Sequence, residues 1–141
     1  MSGYENKADE ETLSFFVKQG KKFILVLSSS LDNIDPDDPI IYYALHNDCL
    51  IITEHGFESE ETNEDIALKQ RIIATFVSYL FVVSSEKTDL KTNLLIDGVL
   101  GKDGDIYCVP ESPFKNSLNN QLIRDGAILV DSYFDIKPGI K

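Results

Sequence analysis

Three consecutive serines, Ser28 to Ser30, follow directly on an apolar run that spans Phe23 to Leu27. Small hydroxyl residues after a strand can expose backbone N–H groups and hold a phosphate or another anion. The triplet is not a P-loop, because no Gly-Lys-Ser/Thr follows it, and the glycines of a dinucleotide fingerprint are missing. The sequence therefore predicts either a plain strand-to-loop turn or an anion site built from Ser28, Ser29 and Ser30.

Positively charged side chains suggest two further binding positions. Lys69 and Arg71 lie near the beginning of a predicted helix, where positive charge opposes the helix dipole. An anionic ligand would explain their position, and simple exposure to solvent is the alternative. Lys115 and Asn120 lie in the loop 110–120, which follows a predicted strand, and ligands of parallel sheets gather at such strand ends.

Residues suited to catalysis or metal binding form no known pattern in this sequence. His46 and His55 are the two histidines, and neither falls in a G-x-S-x-G or metal-ligand spacing. We therefore expect two solvated histidines, no metal and no cofactor. Cys49 and Cys108 lie in apolar runs, which predicts buried and reduced thiols.

The chain is strongly acidic. Its 13 Lys and Arg residues against 24 Asp and Glu residues give a formal net charge of −11, which works against non-specific attraction to nucleic acid or anionic membrane. The stretch 54–65 is acidic in particular, and it predicts a solvated loop or, as the alternative, a surface that binds a partner. No apolar run approaches the roughly 18 to 20 residues of a membrane span, so we expect a cytoplasmic protein.

Apolar runs and helix signals alternate along the chain about every 25 residues. The predicted strands are 23–27, 49–53, 79–84 and 105–109, and the predicted helices are 9–19, 40–46, 66–77 and 89–100. A further short helix that carries Leu122 and Ile123 can be capped by Ser117 or Asn119, and Gly126 is predicted to close it. This alternation predicts an α/β fold, a three-layer sandwich with one mainly parallel, Rossmann-like sheet. We expect a single domain over residues 1–134 and a flexible tail over 135–141.

The order of these motifs resembles the Rossmann-like core of the DprA/Smf family of bacterial DNA-processing proteins. Near its end the family has V-P-G and then N-x-L-I-x-x-G-A, and this chain has VPE at 109–111 and NQLIRDGA at 120–127. The family's R-N-R-I-I-A resembles KQRIIA at 69–74, and its V-L-G-x-G-L-D resembles VLSSSLD at 26–32. Its L-x-S-E resembles IITE at 51–54. The resemblance covers essentially the whole chain.

The resemblance implies a protein that binds single-stranded DNA in a basic pocket, hands the strand to the recombinase RecA and dimerises, without being an enzyme. On that analogy, the pocket is lined by Ser28, Ser30, Lys69, Arg71 and Asn120. The chain also departs from the family pattern. Serines replace the glycines of G-x-G, Glu111 replaces the glycine of V-P-G, and acidic residues precede Lys69.

Apolar residues near the end of the chain predict self-association. The sequence begins where the family is already partway through its sheet, and we expect a second copy to cover the strand edge and apolar surface that this leaves. A homodimer formed through the C-terminal region is therefore expected, with the interface residues Leu122, Ile123, Ile128 and Val130.

Two alternatives to DNA binding stay open. The chain could keep the fold as a protein-interaction or assembly module that uses its acidic face. It could also be a small nucleotide-binding protein that holds a phosphate with the Ser28 loop. The primary hypothesis is binding of single-stranded DNA by Ser28, Ser29, Ser30, Lys69, Arg71, Lys115 and Asn120.

Overall fold

A computed structural model describes residues 1–56, 63–113, 115, 117–132 and 135. The centre of the predicted acidic surface, residues 57–62, and the predicted tail after Asp135 lie outside the described residues. The chain divides into two compact units, Met1–Phe76 and Val77–Lys141. The expected single domain over residues 1–134 stays a prediction.

The first unit alternates helices with two short strands. In chain order it contains α1 (Lys7–Lys18), β1 (Ile24–Val26), a 3-10 turn (Leu31–Asn33), α2 (Pro39–His46), β2 (Leu50–Ile52) and α3 (Asn63–Phe76). α1 begins where the Asn6 side chain accepts a hydrogen bond from the backbone N–H of Asp9 at 3.0 Å. α2 begins in the same way at Asp38, with proline at the first helical position, because an oxygen at that place satisfies N–H groups that the helix leaves unpaired.

The strands of the first unit pair in parallel, with Ile24 opposite Leu50 and Val26 opposite Ile52. Ser2 extends this sheet by an isolated parallel bridge to Leu25. Its backbone N–H donates to the Ile24 carbonyl oxygen, and its own carbonyl oxygen accepts from the Val26 N–H, both at 3.0 Å. β1 therefore has a neighbour on each side, and its fully buried Leu25 belongs to the hydrophobic core with Leu13, Phe23, Ile40, Ile41 and Ala44.

The described residues of the second unit form three strands and two helices. They are β3 (Tyr79–Val82), α4 (Leu90–Leu100), β4 (Asp105–Cys108), α5 (Asn119–Arg124) and β5 (Ile128–Leu129). The sheet order is β3-β4-β5, and both pairs are parallel. Gly126 follows α5 with a φ of +113°, so the glycine predicted to close this helix does occupy a conformation that other residues avoid.

Gly104 connects α4 to β4 in a very confined place. A Cβ atom at this position would lie 2.5 Å from Val99 Cγ1 and 2.9 Å from the Ser78 carbonyl oxygen. The Val99 carbonyl oxygen also accepts a hydrogen bond from the Gly104 N–H at 3.0 Å. Glycine is needed here because the backbone itself fills the space that a side chain would need.

Helices alternate with parallel strands throughout, which confirms the α/β, Rossmann-like class. One detail of the expectation needs correction, since the hydrogen-bonded strands of the described chain form two parallel sheets, one in each unit, where the sequence predicted one. The pairs that form join strands separated by one helical crossover, the usual connection between parallel neighbours. Within the described residues, no helix combines the length and apolar character that crossing a membrane requires.

Candidate functional site

The serine loop, Ser28 to Ser30, leaves the carboxyl end of β1 as predicted, but its residues differ in role. Ser30 is almost fully buried, and its hydroxyl oxygen accepts the Asp32 N–H at 3.2 Å to begin the 3-10 turn. The Ser29 carbonyl oxygen accepts a hydrogen bond from the Thr53 hydroxyl at 2.9 Å. Ser29 and Ser30 therefore fix the loop against its surroundings, and Ser28 is the serine whose hydroxyl lies beside a positively charged group.

Lys69 brings that charge to the serine loop from α3. Its side chain is 2% exposed, and its Nζ lies 3.5 Å from Ser28 Oγ. Nζ donates to the Gly3 carbonyl oxygen at 3.2 Å and forms an ion pair with the Glu5 carboxylate. The structure thus brings together two of the residues predicted for an anion site, and it adds a carboxylate that the sequence analysis did not anticipate.

A polar cavity of about 10 Å³ adjoins Ser28 and Lys69, about enough for one water molecule. Glu54, His55 and Asp65 also line it, with apolar walls from Leu27, Leu68 and Ile72. Small-molecule sites usually enclose about 300 to 1,000 Å³. A whole nucleotide does not fit this cavity, so an anion would have to be held near its opening by groups that reach outward.

His55 corrects the prediction that both histidines are solvated. Its Nε2 lies 3.2 Å from Asp65 Oδ2, and its side chain is only 3% exposed, whereas His46 is exposed and stacks on Tyr42. The reason is that His55, in the segment after β2, and Asp65, in the first turn of α3, line the same cavity. Their sequence spacing gave no signal of this contact.

Arg71 lies two residues after Lys69 but faces solvent. Its guanidinium binds both carboxylate oxygens of Glu54, at 2.8 and 2.7 Å, and the two side chains are 63% and 42% exposed. Exposed ion pairs contribute about 0 to 1 kcal/mol. The Arg71–Glu54 pair is therefore easily exchanged for a contact with another anion.

In the second unit, Glu111 organises the loop that follows β4. Its carboxylate accepts a hydrogen bond from the Ser84 hydroxyl at 2.7 Å and pairs with Lys115 Nζ at 3.2 Å. The pKa of Glu111 is lowered, first by the hydroxyl of Ser117, then by the Ser84 hydroxyl and Lys115. Glu111 replaces a glycine of the family pattern, and it gives the predicted cation Lys115 a partner from its own chain.

Asn120, predicted to contact DNA, instead holds the backbone of this loop. Its Oδ1 accepts the Glu111 N–H at 3.0 Å, and its Nδ2 donates to the Glu111 carbonyl oxygen at 2.7 Å. Its partial burial leaves some of the side chain accessible. A direct role in ligand binding stays a prediction, and its observed role is to position Glu111.

Asn119, one of the two residues predicted to cap the last helix, is instead the first residue of α5, and no signal in the sequence indicated its contacts. It is fully buried, and its Nδ2 donates to the carbonyl oxygens of Val82, Val83 and Val109 at 3.0, 3.1 and 2.9 Å. Its Oδ1 accepts the Ser85 hydroxyl at 2.6 Å. Asn119 therefore ties the carboxyl ends of β3 and β4 together where the Glu111 loop begins.

The residues predicted for a dimer interface are half-buried within a single chain, namely Leu122, Ile123, Ile128 and Val130. Their role in self-association stays a prediction. Over the described ranges, no group of three or more His, Cys, Asp or Glu side chains is arranged to hold a metal ion.

Comparison with known proteins places this geometry in a family. The sequence model described as DNA recombination-mediator protein A matches residues 1–140. The crystal structure of DNA processing protein A (DprA) from Streptococcus pneumoniae is similar in fold, with a TM-score of 0.83 at 22% sequence identity. The similarity covers 95% of this chain and 48% of the pneumococcal one, so this chain spans about half the length of that protein. No curated protein sequence gives a significant match. Since the family model extends over nearly all of the sequence, the chain belongs to the DNA recombination-mediator protein A family.

Proposed function

We propose that this chain binds single-stranded DNA as a non-catalytic DNA-processing protein of recombination or transformation. The observation that carries the proposal is the meeting of Ser28 and Lys69 at the carboxyl end of β1, in a member of the DNA recombination-mediator protein A family. Ligands of parallel α/β folds bind at such strand ends. The protein would act in the cytoplasm, where transforming or recombining DNA is handled.

In this proposal each cation contacts the phosphate backbone and none reads a base. Lys69 and Ser28 would hold one phosphate, and Arg71, which is on the same helix and 63% exposed, would hold a neighbouring one. Lys115 would provide a separate contact in the second unit. With so few contacts, the affinity should be modest, and its dependence on salt should be shallow, with each contact adding roughly 0.7 to the slope for single strands.

Fluorescence anisotropy with labelled oligo-dT at about 50 mM salt tests the proposal, because electrostatic binding is strongest at low salt. Arg71→Ala should weaken binding about tenfold, which corresponds to roughly 1 to 2 kcal/mol for a charged contact. Lys18→Ala is the matched control, since Lys18 is an exposed cation at the end of α1, and it should bind like the wild type. Absence of binding at about 100 μM protein, or equal binding by all three proteins, would reject the site.

We extend the proposal to two partners. One is a RecA-type recombinase that receives the DNA, and the other is a second copy of this chain bound through Leu122, Ile123, Ile128 and Val130. Light scattering should then report a dimer at high micromolar concentration, and Ile123→Glu should shift it towards the monomer with an unchanged circular dichroism spectrum. A monomeric wild type at that concentration would remove the dimer from the proposal.

A second candidate function is a protein-interaction module with an acidic binding face. It is favoured by one observation, that Lys69, Arg71 and Lys115 are each already paired with a carboxylate of the same chain. Together with the net charge of −11, these pairs reduce the positive potential that DNA would meet. The same oligo-dT titration separates the two functions, because an interaction module would give no DNA binding in any variant. The small cavity beside Ser28 gives no comparable support to nucleotide binding.

A further inference from the structure

The carboxylate of Glu5 occupies the position on Lys69 that a phosphate would need. The Lys69 side chain is 2% exposed, and its Nζ forms an ion pair with Glu5, whose side chain is 19% exposed. We propose that Glu5 is the residue that controls access of phosphate to the Ser28–Lys69 site, by serving as a built-in anion that a ligand must displace. This inference rests on the proposed function, because it concerns the same site.

A short segment, Ser2 to Glu5, positions Glu5 beside Lys69, and several hydrogen bonds hold this segment in place. Ser2 is hydrogen-bonded to both sides of Leu25 in β1, and the Gly3 carbonyl oxygen accepts from Lys69 Nζ. The Tyr4 hydroxyl donates to Asp38 Oδ2 at 2.8 Å. The backbone before Glu5 is therefore held in place, and the Glu5 side chain is the part of the segment that can leave Lys69 without unfolding it.

Because Lys69 is buried, the Glu5 carboxylate affects phosphate binding more than Glu54 or Glu111 does. A buried ammonium group that loses its ion-pair partner is strongly destabilising, so Lys69 needs an anion beside it. Glu5 supplies that anion in the free protein. A phosphodiester can bind Lys69 only by replacing the Glu5 carboxylate. Because both groups carry one negative charge, the Coulomb attraction to Lys69 changes little.

Arg71 and Lys115 show the same arrangement with exposed cations. Arg71 is 63% exposed beside Glu54, and Lys115 is 66% exposed beside Glu111, so an incoming phosphate can reach either cation from solvent. Exposed ion pairs are weak, so a phosphate can easily displace the carboxylates of Glu54 and Glu111. Glu5 alone among the three holds a buried cation, and it is therefore the residue that limits binding.

The chemical consequence is selectivity for chains of phosphates. A lone monoanion exchanges evenly with the Glu5 carboxylate and gains nothing, whereas a strand that also contacts Arg71 on the same helix adds a second contact once Glu5 has moved. The site should hence prefer a phosphodiester polymer over a compound with a single phosphodiester group. Removing the Glu5 charge should relax this requirement and admit single phosphate ions.

Glu5→Gln tests the inference, since glutamine keeps the shape and an oxygen that accepts from Lys69 but has no charge. Glu10→Gln is the matched control, because Glu10 is an exposed carboxylate in the first turn of α1. Two measurements apply to the wild type and both variants: oligo-dT affinity by anisotropy, and the shift of the melting temperature by inorganic phosphate against chloride at equal ionic strength. Glu5→Gln should bind oligo-dT about tenfold more tightly than the wild type, which is the effect of one charged contact. Inorganic phosphate should raise the melting temperature of Glu5→Gln and leave those of the wild type and Glu10→Gln unchanged.

The two measurements separate this inference from the proposed function. If every protein binds oligo-dT equally and phosphate stabilises none, control by Glu5 is refuted while DNA binding stands. If none binds oligo-dT but phosphate stabilises Glu5→Gln, the anion site stands and the DNA function is refuted. If Glu5→Gln does not fold, Glu5→Asp takes its place, because its shorter side chain withdraws the carboxylate while keeping the charge. An affinity for oligo-dT no higher than that of the wild type would then refute the inference.

Discussion

Replacing Asn119 by alanine should destabilise the second unit strongly. The Asn119 amide donates to three strand-end carbonyl groups and accepts from Ser85. Its two N–H groups can serve two of these carbonyls fully at a time, so the substitution removes about three hydrogen bonds at roughly 1 kcal/mol each. Since the residue is fully buried, the partners cannot regain water easily. We expect a loss of about 3 kcal/mol or more, against typical totals of about 5 to 15 kcal/mol.

Urea unfolding followed by far-ultraviolet circular dichroism measures this loss. With a denaturant slope of about 2 kcal/mol per molar, the midpoint should fall by about 1.5 M. Asn120→Ala is the matched control, because the neighbouring asparagine is only partly buried and makes two hydrogen bonds, both to the Glu111 backbone. Its loss should be about 1 to 2 kcal/mol, because two hydrogen bonds are lost and the partners of a partly buried residue can bind water instead. Equal losses for the two variants would refute the reasoning, since the difference rests on burial and on the number of bonds.

The other predictions concern titrating groups. Burial raises the pKa of the Cys108 thiol to about 11. In the native protein a disulfide reagent should therefore modify the partly exposed Cys49, and it should react with Cys108 only after unfolding. Rapid modification of both cysteines would contradict this prediction. Burial, followed by the hydrogen bond to Asp38, raises the pKa of Tyr4 from 10.0 to about 12. The free energy of unfolding should therefore fall as pH rises from about 10 to about 12, and Tyr4→Phe should lose this part of the pH dependence. The pKa of Glu111 is lowered from 4.5, so its contribution is present above about pH 4.5 and is lost as pH falls below it. Acid titration of Glu111→Gln should show a shallower decline, and identical acid limbs would exclude the effect.

Local signals in the sequence were sufficient to predict the elements of the fold. The apolar runs became β1 to β4, the stretch before Gly126 became α5, and Gly126 took a positive φ. Each of these features depends on residues within a few positions of one another, through strand burial, helix capping or the conformational freedom of glycine. The parallel pairing followed because helices of suitable length separate the strands.

The partners of the polar residues were not predictable in the same way. Lys69 was assigned to DNA contact by its place in a family motif, but its burial depends on Gly3 and Glu5, which are more than sixty positions away. Asn119 and Asn120 are identical neighbours, and the family motif singled out Asn120 without indicating which of the two is buried. About 100° of helix rotation separates adjacent residues, and that rotation places Asn119 among the strand ends and Asn120 on the Glu111 loop.

Gly104 limits how mutational data on this chain can be interpreted. Conservative substitution normally means a change of few atoms, and alanine scanning treats the methyl group as a neutral reference. At position 104 the first atom of any side chain already overlaps Val99 and the Ser78 backbone, so alanine is excluded for the same reason as tryptophan. A loss of function on replacing Gly104 therefore reports steric exclusion within the second unit and says nothing about ligand binding.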